Sequence, residues 1–440
     1  MFATRTARRL LLASLFALAA CGGDDAGDGT DTDTGAADTG TSDAGADATD
    51  AGQGDTTVGD TTDRDTGSTD AGGDVAMDAE ADADPMGPVP STPEALSATG
   101  PWTVGYQVLE TTYPDPVNGD DRPIDVWVWY PTEDTDGRAP QYLRAGAATD
   151  GPESVLREAA IAPVTDAPVL VFSHGHRVFP AASVYILEHF ASHGWLVVAP
   201  EHTGDTTSLE DERTTDIYWQ RGADISAALD FVLADGGVFD GLASDRIIGG
   251  GHSFGGYTMA MVNGAELDLE GLDAWCASDD GRANFCGNYD ADRRARLAEG
   301  TFDARVLGGL WMAPGDRHKF GDAGLQSADV PVFLMTADND TRTGADAQPY
   351  WDGIEGHDAD AWWLELTNAG HAHFTDVCAL GAGDDEGCGA DDVAPTPAFT
   401  AVRGYALAFA RWVVDGDEDA RAIIEVGAIT NEAVGSVVAR

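Results

Sequence analysis

The chain has 440 residues and a formal net charge of −53, from 77 acidic and 24 basic side chains. That charge, with no basic patch anywhere, argues for solubility and against nucleic acid or other anionic partners. Lys319 is the only lysine, the remaining cations are arginines, and the acidity suits a saline habitat.

Arg5, Arg8 and Arg9 precede an apolar run from Leu10 to Ala20. The run is too short to span a bilayer stably, so residues 1–20 read as a signal peptide. Leu18-Ala19-Ala20-Cys21 resembles the bacterial lipobox. The resemblance implies cleavage before Cys21 and lipidation of its thiol. Gly22 does not match the aspartate-type inner-membrane retention signal. The expected location is therefore outside the cell interior, anchored to the outer membrane or cell surface. Residues 22–88 are almost all Asp, Gly, Thr, Ala and Ser. Such a segment buries too little apolar surface to offset chain entropy, and is expected to be a disordered, self-repelling tether. Its Asp-x-Asp pattern lacks the spaced glycine and terminal glutamate of an EF-hand loop.

Residues 89–440 are expected to form one large domain. Strand-like runs are Val104–Thr112, Ile124–Tyr130, Pro168–Ser173, Trp195–Pro200, Arg246–Gly251, Arg305–Met312, Val330–Thr336 and Ala361–Thr367. Helical patterns lie at Ala182–His193, Asp216–Leu233, Phe254–Val262 and Ala398–Val414, with short terminal helices at Ala420–Ile429 and Glu432–Val438. Adjacent early strands followed by strand–helix alternation predict an α/β fold with a mostly parallel central sheet and helices on both faces. Gly264–Gly300 interrupts the pattern, as a lid or as a surface excursion. Asp415, Asp417 and Asp419 hint at calcium, but Ala420 stands where an EF-hand loop needs glycine. Besides Cys21 there are Cys276, Cys286, Cys378 and Cys388, in two equally spaced pairs. In an exported chain local pairing, 276–286 and 378–388, is preferred among three connectivities. A zinc site does not suit that spacing.

Residues 251–255, Gly-His-Ser-Phe-Gly, sit between a strand and a helix. This G-x-S-x-G context marks Ser253 as the nucleophile, raised on a strained turn that glycines make room for. A serine needs a base. His371 follows the last long strand at the expected place, with His373 two residues on as competitor. A carboxylate must orient it. Asp340, on the turn after Val330–Thr336, is preferred, and Asp338 is the alternative. The oxyanion requires two donors. These are expected from the backbone N–H of Phe254 and, in Ser173-His174-Gly175-His176-Arg177, of His176. His174, His176 and His252 read as turn and supporting residues rather than a metal set. Trp275, Trp311 and Met312, with Phe254, are candidates for an apolar acyl site. No cofactor or metal is expected.

These pieces resemble the α/β-hydrolase superfamily, and within it the plasma-type platelet-activating-factor acetylhydrolase and dienelactone-hydrolase-like group. The carrying stretches are residues 169–175 (VLVFSHG), 251–256 (GHSFGG) and 370–376 (GHAHFTD), with Gly308-Gly309-Leu310-Trp311-Met312 resembling a strand end of that acetylhydrolase. The resemblance implies a serine esterase acting on small acyl or lipid esters, without cofactor. Polyester or lactone hydrolysis is a second reading, and an inactive surface binding module a third. Where the acetylhydrolase carries its acid this chain has Gly309, so Asp340 takes that role.

Overall fold

A computed structural model describes residues 89–139, 141–144, 147–150, 155–207, 214–278, 281–380, 388–389 and 391–440. The expected signal peptide, Cys21 and the expected acidic tether lie outside the described residues. In chain order the first elements are α1 (Pro93–Ser97), β1 (Thr103–Pro114), β2 (Asp121–Thr132), β3 (Gln141–Arg144), β4 (Ala147–Asp150) and β5 (Val155–Arg157). Then come β6 (Ala167–Ser173), α2 (Val184–Ser192), β7 (Leu196–Glu201), α3 (Ile217–Val232), β8 (Ala243–His252) and α4 (Phe254–Val262). An inserted group follows: α5 (Leu269–Cys276), α6 (Ala283–Cys286) and α7 (Ala291–Glu299). The remainder is β9 (Val306–Met312), α8 (Gly321–Gln326), β10 (Val332–Ala337), α9 (Gly344–Gly353), β11 (Ala361–Leu366), α10 (Pro395–Asp415), α11 (Glu418–Glu425) and β12 (Val434–Ala439).

Ten of these strands form one sheet in the order β12-β11-β10-β9-β8-β6-β7-β2-β1-β5. From β7 through β11 every pairing is parallel. The pairings β7·β2, β2·β1 and β11·β12 are antiparallel. The central strands are apolar on both sides because both sides are covered. Val169 and Val171 of β6 pack into the layer that contains α3 and α4. Leu170 and Phe172 point the other way, into the layer that contains α2 and α10. Alternating side chains thus feed two cores, each fully buried aliphatic contributing roughly 1.5–3 kcal/mol.

Two glycines let α4 leave β8 at the required angle. A Cβ on Gly251 would lie 2.3 Å from Gly255 O, and one on Gly255 only 1.9 Å from Ser173 O. The first residues of α4 therefore pack tightly against both β8 and the end of β6, and a side chain at Gly251 or Gly255 would push the start of the helix off the one or the other.

The expected terminal helix at Glu432–Val438 is instead β12, paired antiparallel with β11. Val434, Val437 and Val438 are β-branched and lose side-chain freedom in a helix, while β11 offered an open edge. Two of the three aspartates that hint at calcium are otherwise used. Asp415 binds Arg246, and Asp417 caps α11 at Ala420 N–H (3.0 Å) and pairs with Arg411 (2.7 Å). β3, β4 and β5 are too short to register in the sequence.

Both local disulfides form, Cys276–Cys286 and Cys378–Cys388, with Cα atoms 5.2 Å apart in each. The first ties α5 to α6. Phe285 of α6 is buried edge-on to Tyr218 (4.9 Å), and Tyr218 in turn meets Phe254 (4.8 Å). Lys319 is fully buried beside them, its ammonium 4.6 Å from the Trp275 ring, 4.9 Å from Tyr218 and 2.8 Å from Asp316. Cation–π attraction is strongest when desolvated in this way, so the cage fixes the insertion to the loop after β9. No helix among the described residues is long and apolar enough to cross a membrane.

Candidate active site

Ser253 stands between the last residue of β8 and the first of α4, with φ 58° and ψ −119°. Such a conformation is costly for a residue with a side chain, and persists only where the surroundings impose it. Here they do: Ser253 N–H donates to Met312 O (2.8 Å), and Tyr257 N–H to Ser253 O (3.2 Å).

The expected base, His371, is brought in by the loop after β11. His371 Nδ1 lies 2.9 Å from Asp340 Oδ2, and both side chains are buried. Asp340 is itself over-determined: Arg342 N–H (2.7 Å) and Thr343 N–H (2.8 Å) donate to Oδ1, and the Thr343 hydroxyl lies 2.7 Å from Oδ2. Burial alone raises a carboxyl's pKa. The hydrogen bond and charge of His371, with the Thr343 donors, outweigh it and hold Asp340 well below the usual carboxylate range. An ionised Asp340 keeps the proton on Nδ1 and leaves the Nε2 lone pair of His371 for a nucleophile. Ser253, the expected nucleophile, is one residue from His252, whose ring centre is 4.5 Å from that of His371 and whose Nε2–H donates to His371 O (3.1 Å). Ser253 Oγ makes no hydrogen bond to His371 among the described residues; contacts of this kind tighten when substrate binds.

The two rivals are placed elsewhere. Asp338 is bonded to the Thr367 hydroxyl (2.8 Å) and Ala369 N–H (3.3 Å). His373 accepts from Gly370 N–H at Nδ1 (3.0 Å) and donates to Val393 O from Nε2 (2.8 Å), so neither nitrogen is left for chemistry. Gly309 has no room for an acid: a Cβ there would lie 2.2 Å from Asn263 Oδ1.

The loop after β6, which carries the expected second oxyanion donor, lies directly over Ser253, since a Cβ on Gly175 would be 3.5 Å from Ser253 Cβ. His174 Nδ1–H donates to Gly175 O (2.8 Å). A trans peptide points its N–H opposite to its C=O, so the His176 N–H is turned away from His174. It has no acceptor among the described residues. Phe254 N–H is the first donor of α4, at the helix's positive end. One of the two expected donors thus follows Ser253 in the chain, and the other follows a glycine that lies close to it in space.

Behind this loop is a buried polar network that the sequence reading did not anticipate. Arg221 of α3 donates to His174 O, Asp205 Oδ2 (2.7 Å), Ser173 Oγ (3.0 Å) and Thr258 Oγ1 (3.1 Å). Asp205 also takes His176 Nδ1 (2.5 Å) and Arg177 N–H (3.1 Å) on Oδ1. Ser173 Oγ is 2.9 Å from His202 Nε2, and His202 Nδ1 is 3.0 Å from Asp224, which Arg122 clamps through both oxygens. Ser173, His202 and Asp224 thus form a second Ser–His–Asp chain, sealed from solvent. The available signal was positional. His202 and Asp205 follow β7 at the carboxyl end of the sheet, where ligand sites gather in open α/β folds.

Burial, reinforced by the Arg221 charge, pushes the His202 pKa down to about 4. An unfolded imidazole titrates near 6.5, so between those values the unfolded chain binds more protons. Stability from this group is present above about pH 6.5 and is lost as pH falls towards 4, roughly 3 kcal/mol in all. The melting temperature is expected to fall across that window, and His202→Gln to flatten the slope; a slope unchanged in the variant means the proton is taken up elsewhere.

The expectation that Trp311 and Met312 line an acyl pocket does not hold. Both are fully buried; Trp311 Nε1–H donates to Asn263 (3.0 Å) and its ring meets Tyr350. Trp275 is a wall of the Lys319 cage. Among the described residues no group of three potential ligands is placed to hold a metal ion. A groove of about 640 Å³ between α3, α7 and the β1–β2 hairpin is lined by none of the candidate residues.

A strained serine at a strand–helix turn in a mostly parallel sheet, with a His–Asp pair beside it, defines the α/β-hydrolase fold. A ferulic acid esterase from Streptomyces cinnamoneus is similar in structure, at TM-score 0.52 and 21% sequence identity, over 73% of this chain and 93% of that one. No family model and no curated protein matches the chain.

Proposed function

We propose that this protein is an exported serine esterase that cleaves carboxylic esters through an acyl-enzyme. The observation that carries the reading is Ser253, held at φ 58° beside the His371–Asp340 pair and under the Gly175–His176 peptide. Ser253 Oγ attacks the ester carbonyl as His371 Nε2 takes its proton. The carbonyl oxygen becomes an oxyanion facing the N–H groups of Phe254 and His176. Collapse expels the alcohol, which receives the proton from His371. Water, deprotonated by the same imidazole, then releases the acid. The signal-like N-terminus and Cys21 support a membrane-tethered location, and the acetylhydrolase-like motifs support small acyl or lipid esters. The similar ferulic acid esterase adds aromatic acyl esters to the substrates to be tried.

The test is intact mass after a fluorophosphonate probe, on wild type and on Ser253→Ala, with acetyl, butyryl, feruloyl and phospholipid esters assayed alongside. One adduct on wild type, none on the variant, and at least 10⁴-fold slower turnover by the variant are expected. A folded wild-type protein that takes no adduct and cleaves no ester overturns the reading and leaves a binding module.

A further inference from the structure

The side chain of His176 has no part in the chemistry above, yet it is built with unusual care. Its Nδ1 is fixed by Asp205 (2.5 Å). Burial alone raises the Asp205 carboxyl, but the hydrogen bond from His176 and the Arg221 charge hold it well below the usual range, so it is an ionised acceptor. Arg221 is fully buried and its ion pair with Asp205 leaves no net charge behind the ring. The ring also stands edge-on to Phe254, with centroids 6.2 Å apart. Nδ1 therefore carries a proton and the ring cannot turn over.

The other nitrogen has a different surrounding. Nε2 has no partner among the described residues, and it is not among the buried polar atoms left unsatisfied. The side chain keeps 21% of its surface open. It reaches that surface from the residue that carries the expected second oxyanion donor, next to a glycine on which a Cβ would lie 3.5 Å from Ser253 Cβ. Consecutive Cα atoms are ~3.8 Å apart, and the His176 ring meets that of Phe254, the residue after Ser253, so His176 stands beside the space that a substrate carbonyl and its first carbons must fill.

We propose that His176 determines specificity by accepting, at Nε2, a hydrogen bond from a hydroxyl carried within a few carbons of the scissile ester. This rests on the esterase reading and goes beyond it: the favoured substrates are hydroxylated esters, the group lying on either the acyl or the alcohol side. A fixed acceptor of this kind discriminates strongly, because an analogue without the hydroxyl leaves it dry and unpaired.

The experiment compares kcat/KM for matched pairs on the full-length protein. The acyl arm sets p-nitrophenyl 3-hydroxybutyrate against butyrate and lactate against propionate, each corrected by its alkaline hydrolysis rate. The alcohol arm sets the butyrate monoester of ethylene glycol against propyl butyrate. Wild type is expected to prefer the hydroxylated member by at least tenfold in one arm, which identifies the side. His176→Phe, with His176→Ala as a second variant, keeps the backbone donor and is expected to bring that ratio to within about twofold of one, whatever its absolute rate. A wild-type ratio near one in both arms, or a ratio that survives both variants, overturns the proposal while labelling of Ser253 still stands. No label and no turnover of any ester removes the esterase reading, and this proposal with it.

Discussion

Asp340→Asn is expected to lower kcat roughly 10⁴-fold while KM stays within a few-fold. Oδ2 of Asp340 is the acceptor for His371 Nδ1, and an amide there offers either a poorer acceptor or a donor. With a donor facing Nδ1, the imidazole carries its proton on Nε2 and has no lone pair for Ser253. Fold and substrate contacts remain, so the loss falls on turnover. Asp338→Asn is the control. Its carboxylate serves Thr367 and Ala369, and turnover should stay within about threefold of wild type. Steady-state kinetics of the two variants decide the matter: equal losses, or a larger one at Asp338, would require a different acid for His371.

The second large effect is on stability. Arg221→Met is expected to destabilise the domain by about 3–5 kcal/mol, read from urea unfolding, because it leaves Asp205 buried without its cation. The double variant Arg221→Met/Asp205→Asn should recover much of that, since removing both charges leaves no uncompensated ion. A single-variant loss below about 1 kcal/mol would mean that solvent or another cation reaches Asp205. The guanidinium also lies 4.8 Å from the Phe254 ring and holds the carbonyl of His174. The same variant should therefore loosen both oxyanion donors, and slow turnover of the fraction that remains folded.

The strand–turn–helix around Ser253 was legible because its requirements are local: a β-branched run, glycines around a serine, then a helix. The long strands were legible for the same reason, as runs rich in β-branched and aliphatic residues, the central ones nearly unbroken because both faces are covered. The choice between Asp340 and Asp338 was not, because both lie on one turn and only the path of the 368–371 loop separates them. The buried network was also hidden. Arg221 sits in a helix that already has an apolar pattern, and its partners arrive from β6, the loop after β7 and α4. Nothing local distinguishes an arginine that will be sealed inside from one that will be solvated. Trp311 misled for the converse reason: a large aromatic near a strand's carboxyl end suggests a binding wall, whereas here its indole has a partner in Asn263 and never reaches solvent. At Glu432–Val438 a short, mixed segment took the structure of the neighbour it met.

Lys319 has a consequence for handling the protein. As the only lysine, and one with no exposed side-chain surface, it removes side-chain amines from the outside of the folded domain. Acylating reagents and aldehydes that seek ε-amines find none until Trp275 and the disulfide-bonded insertion lift away from Tyr218. Modification at this single position then becomes a clock for that opening, set by the chain itself and free of background from any other lysine.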